Sequence, residues 1–135
     1  MANVKLSALS KRFGDVQALN ELDLEIADGE FFVLLGPTGA GKTTTLRIIS
    51  GLEKADSGVV TIDDTDMKGL APAARDVAFV FQYYTLYPNL TVRQNLEFPL
   101  KSPLRNTPQL TIDERIAEVA KTLHIEHLLE RSTVN

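Results

Sequence analysis

Cysteine is absent from this 135-residue chain. Its absence excludes disulfide staples and thiolate metal sites. Long apolar runs are also missing, and no stretch has the length and apolarity needed to cross a bilayer. The opening Met1-Ala2-Asn3-Val4-Lys5 lacks the apolar core of a signal peptide. Basic residues are outnumbered, giving a formal net charge of −4. A general nucleic-acid binder usually carries a basic face, so no nucleic-acid partner is expected. What remains is globular in character, 44% apolar and 24% charged, with enough residues for one domain of ordinary size. These bounds predict a soluble, intracellular protein, with docking on a membrane complex left open.

Against that plain background one stretch stands out. Gly36-Pro37-Thr38-Gly39-Ala40-Gly41-Lys42-Thr43 fits the phosphate-binding loop G-x-x-x-x-G-K-[ST] without a gap. The apolar run Phe31-Phe32-Val33-Leu34-Leu35 precedes it and reads as a strand. A helix-compatible segment from Lys42 to Ser50 follows. A glycine loop between strand and helix aims several backbone N–H groups at one spot, and the helix N-terminus adds its positive dipole end. Together they form a nest for phosphate oxygens. Gly36, Gly39 and Gly41 let the backbone approach without a Cβ in the way. The pattern assigns Lys42 to the β- and γ-phosphates and the Thr43 hydroxyl to Mg²⁺. A glycine-rich turn that merely caps a helix has no need of a lysine and a hydroxyl at these two places.

Strand signals dominate up to about Phe81. Val4, Leu6 and Ala8 alternate with polar residues, as do Leu22, Leu24 and Ile26. Ala27-Asp28-Gly29-Glu30 and Asp56-Ser57-Gly58 read as turns, and Val59-Val60-Thr61-Ile62 and Val77-Ala78-Phe79-Val80-Phe81 as strands. Leu46, Ile48 and Ile49 give the first helix an apolar side, and Gly51 suits its C-terminal cap. Thr91-Val92-Arg93-Gln94 and Thr111-Ile112-Asp113-Glu114 both match a capping box. Ile112, Ile116, Val119, Ala120 and Leu123 share one face at helical spacing, and Leu128-Leu129 suggest a short final helix. Residues 101–108 read as a surface loop. Phe31–Leu35 and Val77–Phe81 are apolar on both faces and belong inside a covered sheet, for which the chain offers few flanking strands.

Three weaker patterns are set aside. Asp64-Thr65-Asp66-Met67-Lys68-Gly69 starts like a calcium loop, but Lys68 and Arg75 fall where oxygen ligands are needed. His124 and His127 lack a third ligand nearby. Val59–Asp63 looks like a second phosphate-site strand ending in an acid, yet Asp63-Asp64 runs straight into a turn, which favours a hairpin.

Taken together, the motifs resemble an ABC transporter ATPase subunit of the sugar-importer group, the maltose and glycerol-phosphate type. Lys11-Arg12-Phe13-Gly14-Asp15-Val16-Gln17-Ala18-Leu19 resembles the family's loop with an adenine-stacking aromatic. The phosphate loop continues in the family form through Thr44-Thr45-Leu46-Arg47, and Ser57–Asp63 resembles the hairpin after the first helix. Val80-Phe81-Gln82-Tyr83-Tyr84-Thr85-Leu86-Tyr87-Pro88-Asn89-Leu90-Thr91-Val92 resembles the glutamine loop and its extension. The resemblance implies that Phe13, where the family usually has tyrosine, stacks on adenine with Val16 as an apolar neighbour. It implies an α-phosphate contact for Thr44, and for Gln82 a Mg²⁺ contact that tracks the γ-phosphate. Pro37, Thr38 and Ala40 complete the nucleotide-binding set. Tyr83, Tyr84, Leu86, Tyr87 and Pro88 are either core of a small helical subdomain or a pocket for a helix of a transmembrane subunit.

The implied fold is α/β, a P-loop NTPase core with an antiparallel β subdomain at 1–88 and the start of a helical subdomain at 89–135, its sheet incomplete. The implied activity is ATP hydrolysis coupled to import of a sugar or related solute. ATP and Mg are the cofactors; a second ATPase subunit in a head-to-tail dimer and the permease subunits are the partners. The implied location is the cytoplasmic face of the cell membrane. The Leu-Ser-Gly-Gly-Gln signature, the catalytic glutamate, the dimer-contact loop and the switch histidine are not among these residues. The expectation is therefore a truncated product or expressed fragment that binds Mg·ATP weakly, hydrolyses almost none and self-associates. A stand-alone, non-catalytic nucleotide-binding or interaction module is the alternative. A P-loop kinase or GTPase is disfavoured, because the guanine-reading Asn-Lys-x-Asp string and an Arg-rich lid are missing.

Overall fold

Alternating apolar positions in the first quarter of the chain produce a long hairpin. In the computed structural model, which describes residues 2–83, 85–102 and 107–133, β1 (Val4–Phe13) pairs antiparallel with β2 (Val16–Ile26). On its other edge β1 pairs antiparallel with β3 (Ser57–Ile62), and β3 turns back into the short β4 (Thr65–Asp66), giving a four-stranded sheet of order β2-β1-β3-β4. Central position explains why Leu6 and Leu9 of β1 are fully buried. They pack with Leu19, Ile48, Val60, Ile62 and Met67.

The β3–β4 connection settles the reading of Val59–Asp63. Ile62 pairs with Thr65, and Asp63 and Asp64 both have positive φ (47° and 58°), the geometry of a tight two-residue hairpin. The Asp63 carboxylate accepts from the Asn3 N–H at 3.1 Å, so it pins the N-terminal strand.

Helix α1 (Lys42–Ile49) lies in the same unit, which spans Met1–Val80. Thr45 and Ile48 are its buried residues, whereas Leu46 is half exposed, so the buried side is shifted from the one its leucine suggests. The helix ends as the glycine predicts. Gly51 has φ 78°, its N–H reaches the Ile48 carbonyl at 3.1 Å, and the Leu52 N–H reaches Arg47 at 2.9 Å. That double bond pattern is a Schellman cap.

Arg75 then covers the end of this helix. Its guanidinium donates to the carbonyls of Ile48 (2.9 Å), Ile49 (3.1 Å), Met67 (3.0 Å) and Leu70 (3.1 Å). A cation at a helix C-terminus meets the negative dipole end and the acceptor capacity that the last carbonyls keep to spare. Burial pushes the Arg75 pKa below its ordinary value. Arg75→Ala is expected to destabilise this unit by about 2–4 kcal/mol, since hydrogen bonds to a charged group contribute roughly 1.5–3 kcal/mol and several are lost together. Urea denaturation checks it, and an unchanged midpoint would show that the clamp is idle.

The sequence pattern predicts strands at Phe31–Leu35 and Val77–Phe81, and neither forms one. Both runs lie outside the four-stranded sheet, and Phe31, Leu35 and Val80 are largely exposed. Within the second run, Val77 is partly buried against the core cluster. A strand apolar on both faces needs ladder partners and a layer on each side. Neither run joins the four-stranded sheet, so local apolar character alone does not make them strands.

The second unit spans Phe81–Asn135 and holds α2 (Val92–Glu97), α3 (Gln109–Thr122) and a 3-10 turn at Glu126–Leu128 in place of the expected last helix. Thr91 and Gln94 form the predicted capping box at the start of α2. Thr111 does not cap α3. That helix starts at Gln109 after Pro108, and the Ile112 N–H already donates to the Pro108 carbonyl at 3.1 Å. Proline's fixed φ suits the entry to a helix and draws the start upstream. Ile112, Ile116 and Ala120 are buried at i, i+4, i+8 spacing, while Val119 and Leu123 are exposed.

Candidate functional site

The phosphate-loop residues run from the irregular Phe31–Leu35 segment into α1. Gly39 and Gly41 take positive φ (85° and 84°), and the Ala40 N–H closes a turn onto the Pro37 carbonyl at 3.2 Å. Gly41 is the N-cap of α1, and no side chain caps the helix there. The N–H groups of its first turn therefore lack intrahelical acceptors. The Lys42 ammonium bends back across the loop and donates to the carbonyls of Gly36 and Pro37, each at 2.7 Å. An ammonium carries three donors, so one is left over. Thr43 is exposed and Thr44 half-buried. Gly36, Pro37, Thr38, Gly39 and Ala40 are all exposed.

Thr45 was given no role by the motif. It is buried, and its hydroxyl donates to the Gly41 carbonyl at 3.0 Å, stitching the loop's last glycine to the helix. As one more threonine in a run of three, it had no pattern to single it out.

The adenine candidates sit at the tip of the first hairpin. Phe13 pairs with Val16 across a turn at Gly14 and Asp15. Both are well exposed, 47% and 66%. Arg12 steadies the turn, donating to the Asp15 carbonyl (3.2 Å) and the Gln17 amide oxygen (2.9 Å).

A β-bulge joins this tip to the phosphate loop. Lys11 pairs with Leu19 and Arg12 with Gln17, which leaves Ala18 as the extra residue. Gly41 passes directly against it. A Cβ on Gly41 would lie 2.4 Å from the Ala18 carbonyl oxygen and 2.7 Å from Leu19 Cδ2. Val16 is two residues along the same strand, about 6–7 Å at the rise of a strand. The bulge thus brings Phe13, Val16 and the loop around Gly41 and Lys42 into one neighbourhood.

The tip is anchored from a third direction. Lys11 Nζ lies 5.0 Å from the centre of the Phe13 ring and is paired with Glu53 (2.9 Å) and Asp56 (3.4 Å). Asp56 also accepts from the Arg12 N–H at 2.7 Å. The hydrogen bond that Lys11 donates to Glu53 raises the Lys11 pKa, and the same bond lowers that of Glu53. The Arg12 N–H is the main cause that lowers Asp56. All three groups are therefore charged near neutrality.

Gln82 belongs to the second unit, where it is exposed. Among the aromatic-loop residues, Tyr83, Leu86, Tyr87 and Pro88 are exposed, and Tyr84 lies outside the described residues. Tyr87 also packs against Phe98 with ring centres 4.4 Å apart. Its backbone N–H donates to the Asn95 side chain at 2.8 Å.

The sequence profile of the ABC transporter family matches residues 19–135. This chain belongs to that family. It is 52% identical to the sn-glycerol-3-phosphate import ATP-binding protein UgpC of Rhizobium meliloti (strain 1021), over 97% of this chain and 37% of that protein. It is 50% identical to the trehalose/maltose import ATP-binding protein MalK of Thermococcus litoralis, over 97% and 36%. The chain thus spans little more than a third of the length of these relatives. Among solved structures, a nucleotide-free ATP-binding cassette from an ABC transporter superposes with a TM-score of 0.80 at 25% identity, over 100% of this chain and 59% of that one. A dimeric ATP-binding cassette bound to ADP and Pi superposes with a TM-score of 0.76 at 29% identity, over 96% and 61%. The fold is therefore that of an ABC cassette, α/β with an antiparallel β subdomain and helical elements, as the motifs implied.

The donor set fits a nucleotide polyphosphate with Mg²⁺. Left-handed glycines, an uncapped helix start, an ammonium with a spare donor and an exposed hydroxyl at Thr43 are the groups such a ligand needs.

Proposed function

We propose that this chain is the ATP-gripping part of the motor subunit of an ABC importer for a sugar or related solute. The observation that carries this reading is the placement of Lys42 and the α1 N-terminus beside a hairpin tip bearing Phe13 and Val16. In this reading Gly36, Pro37, Thr38, Gly39, Ala40 and Gly41 wrap the phosphates with main-chain N–H groups. Lys42 pairs with the β- and γ-phosphates, Thr43 ligates Mg²⁺ and Thr44 meets the α-phosphate. Phe13 stacks on adenine and Val16 touches its edge. For Gln82 the Mg²⁺ role implied by the resemblance is retained, and Tyr83, Tyr84, Leu86, Tyr87 and Pro88 are assigned to the contact with a transmembrane subunit.

Import rests on the relatives, whose names specify glycerol phosphate and maltose import. The same reading assigns a head-to-tail ATPase dimer, permease partners and a peripheral position on the cytoplasmic face of the membrane. It divides the sequence into a nucleotide-binding core at 1–88 and a helical part at 89–135. Hydrolysis needs a positioned nucleophile and a clamp on developing charge. The signature and catalytic glutamate that supply them in the family are not among these residues, so the 135-residue chain is expected to bind Mg·ATP weakly and turn over almost none. Its exposed apolar runs favour self-association. Calorimetric titration with Mg·ATP, run beside a phosphate-release assay, tests the reading. Saturable binding with negligible turnover is expected. Robust turnover abolished by Lys42→Ala would overturn the expected inactivity, and the lack of any binding by the folded chain would overturn the reading itself.

A further inference from the structure

The Lys11 cluster is left unused by the nucleotide reading. Lys11 has only 12% of its side chain exposed, although it stands at the end of an exposed hairpin. Its ammonium is held between Glu53 and Asp56 and lies over the Phe13 ring. Glu53 and Asp56 belong to the segment between α1 and β3, so the ring is referenced to the far end of the helix that carries Lys42. Asp56 adds two main-chain ties to β1: its carboxylate accepts from the Arg12 N–H, and its own N–H donates to the Ser10 carbonyl at 2.9 Å.

We propose that Lys11, pinned by Glu53 and Asp56, is the positioning residue that sets the Phe13 ring for base stacking and so gives this site its preference for a base over a bare polyphosphate. The inference rests on the nucleotide reading above. A cation attracted to one face of an aromatic ring restricts how the ring turns. A base must then use the opposite face. The phosphate-binding groups around Lys42 do not pass through this cluster, so it bears on the base alone.

Charge and position make opposite predictions here. If the cluster acted only by its field, removing the Lys11 cation would weaken anion binding and removing the Glu53 carboxylate would strengthen it. If it positions the ring, both changes weaken ATP and neither touches tripolyphosphate. The test is calorimetric titration of the full chain with Mg·ATP and with Mg·tripolyphosphate, for wild type, Lys11→Met, Lys11→Arg, Glu53→Gln and Phe13→Ala. Lys11→Met and Glu53→Gln are each expected to lower ATP affinity by about two- to five-fold, the range of an exposed cation–ring contact, with tripolyphosphate affinity unchanged. Lys11→Arg is expected to restore ATP affinity, because a guanidinium serves both the ring and the carboxylates. Should Lys11→Met fail to fold, Glu53→Gln and Lys11→Arg still decide the matter. Opposite shifts for Lys11→Met and Glu53→Gln, or equal losses for both ligands, would overturn the inference. Phe13→Ala separates the two levels. If it leaves the ratio of ATP to tripolyphosphate affinity unchanged, stacking by Phe13 is wrong and this inference falls with it. If it collapses that ratio while the Lys11 and Glu53 variants do not, only the positioning role is wrong.

Discussion

Replacing Lys42 with alanine is expected to lower the affinity for Mg·ATP by about ten- to a hundred-fold, the equivalent of ~1.5–3 kcal/mol for a hydrogen bond to a charged group. Two consequences of the geometry combine. Lys42 supplies the one full positive charge at the start of α1 within the phosphate-loop motif Gly36–Thr43. It also bridges the carbonyls of Gly36 and Pro37 at 2.7 Å each, which turns those oxygens toward the ammonium and away from an incoming anion. Alanine removes the charge and releases both carbonyls, so the loop loses its attraction and its shape together. The stability of the unit should change less than ATP affinity, because Gly36 to Ala40 are exposed and Lys42 itself is not one of the buried core residues. Calorimetry for affinity and urea denaturation for stability measure the two separately. Unaltered ATP affinity in the alanine variant would remove Lys42 from the site.

Gly41→Ala should have the larger effect on the fold, about 2–5 kcal/mol, combining roughly 1–2 for a left-handed non-glycine residue with 1–3 for an added methyl in a closed contact. Its Cβ has nowhere to go, 2.4 Å from the Ala18 carbonyl oxygen and 2.7 Å from Leu19 Cδ2. Either α1 backs away from β2 or the bulge at Ala18 is pushed out. Both movements separate the phosphate loop from the hairpin tip, so ATP affinity should fall with stability. Gly39→Ala is the internal control. Its φ of 85° matches the 84° of Gly41, yet nothing lies within 4 Å of its Cβ. It should lose only the ~1–2 kcal/mol of backbone strain. The difference between the two denaturation free energies isolates the contact with Ala18. Equal losses would mean that the contact does not constrain the molecule.

The contrast between those glycines also marks how far the sequence could be read. Both lie in the phosphate loop, and both adopt a positive φ. Only one is pressed against a strand, and nothing within five residues of Gly41 says so. The Asp63-Asp64 turn, the Gly51 cap and the Thr91–Gln94 capping box were legible for one reason: each is made by residues within a few positions of one another. Phe31–Leu35 and Val77–Phe81 misled because apolarity predicts where a segment will be stable once covered, not whether a cover is present. The buried stripe of α3 kept Ile112, Ile116 and Ala120 and lost Val119 and Leu123, since helical spacing gives the period of a face but not its width. In the sequence, Arg75 stands out only as a residue unfit to close a calcium loop. Its four carbonyl partners span positions 48 to 70, and no local pattern joins them.

The amino-acid sequence by itself determined the chemistry of the loop, because glycines, a lysine and a hydroxyl at fixed spacing act through the backbone they belong to. It determined the Asp63-Asp64 turn and the caps at Gly51 and Thr91 for the same reason. Tertiary structure alone decided which strand the loop leans on, which cation holds the end of α1, and which carboxylates hold the ammonium over Phe13. Those contacts join residues as far apart as Lys11 and Asp56, and chain segments so distant meet only when burial of Leu6, Leu9, Leu19 and Ile48 draws the strands and helix together.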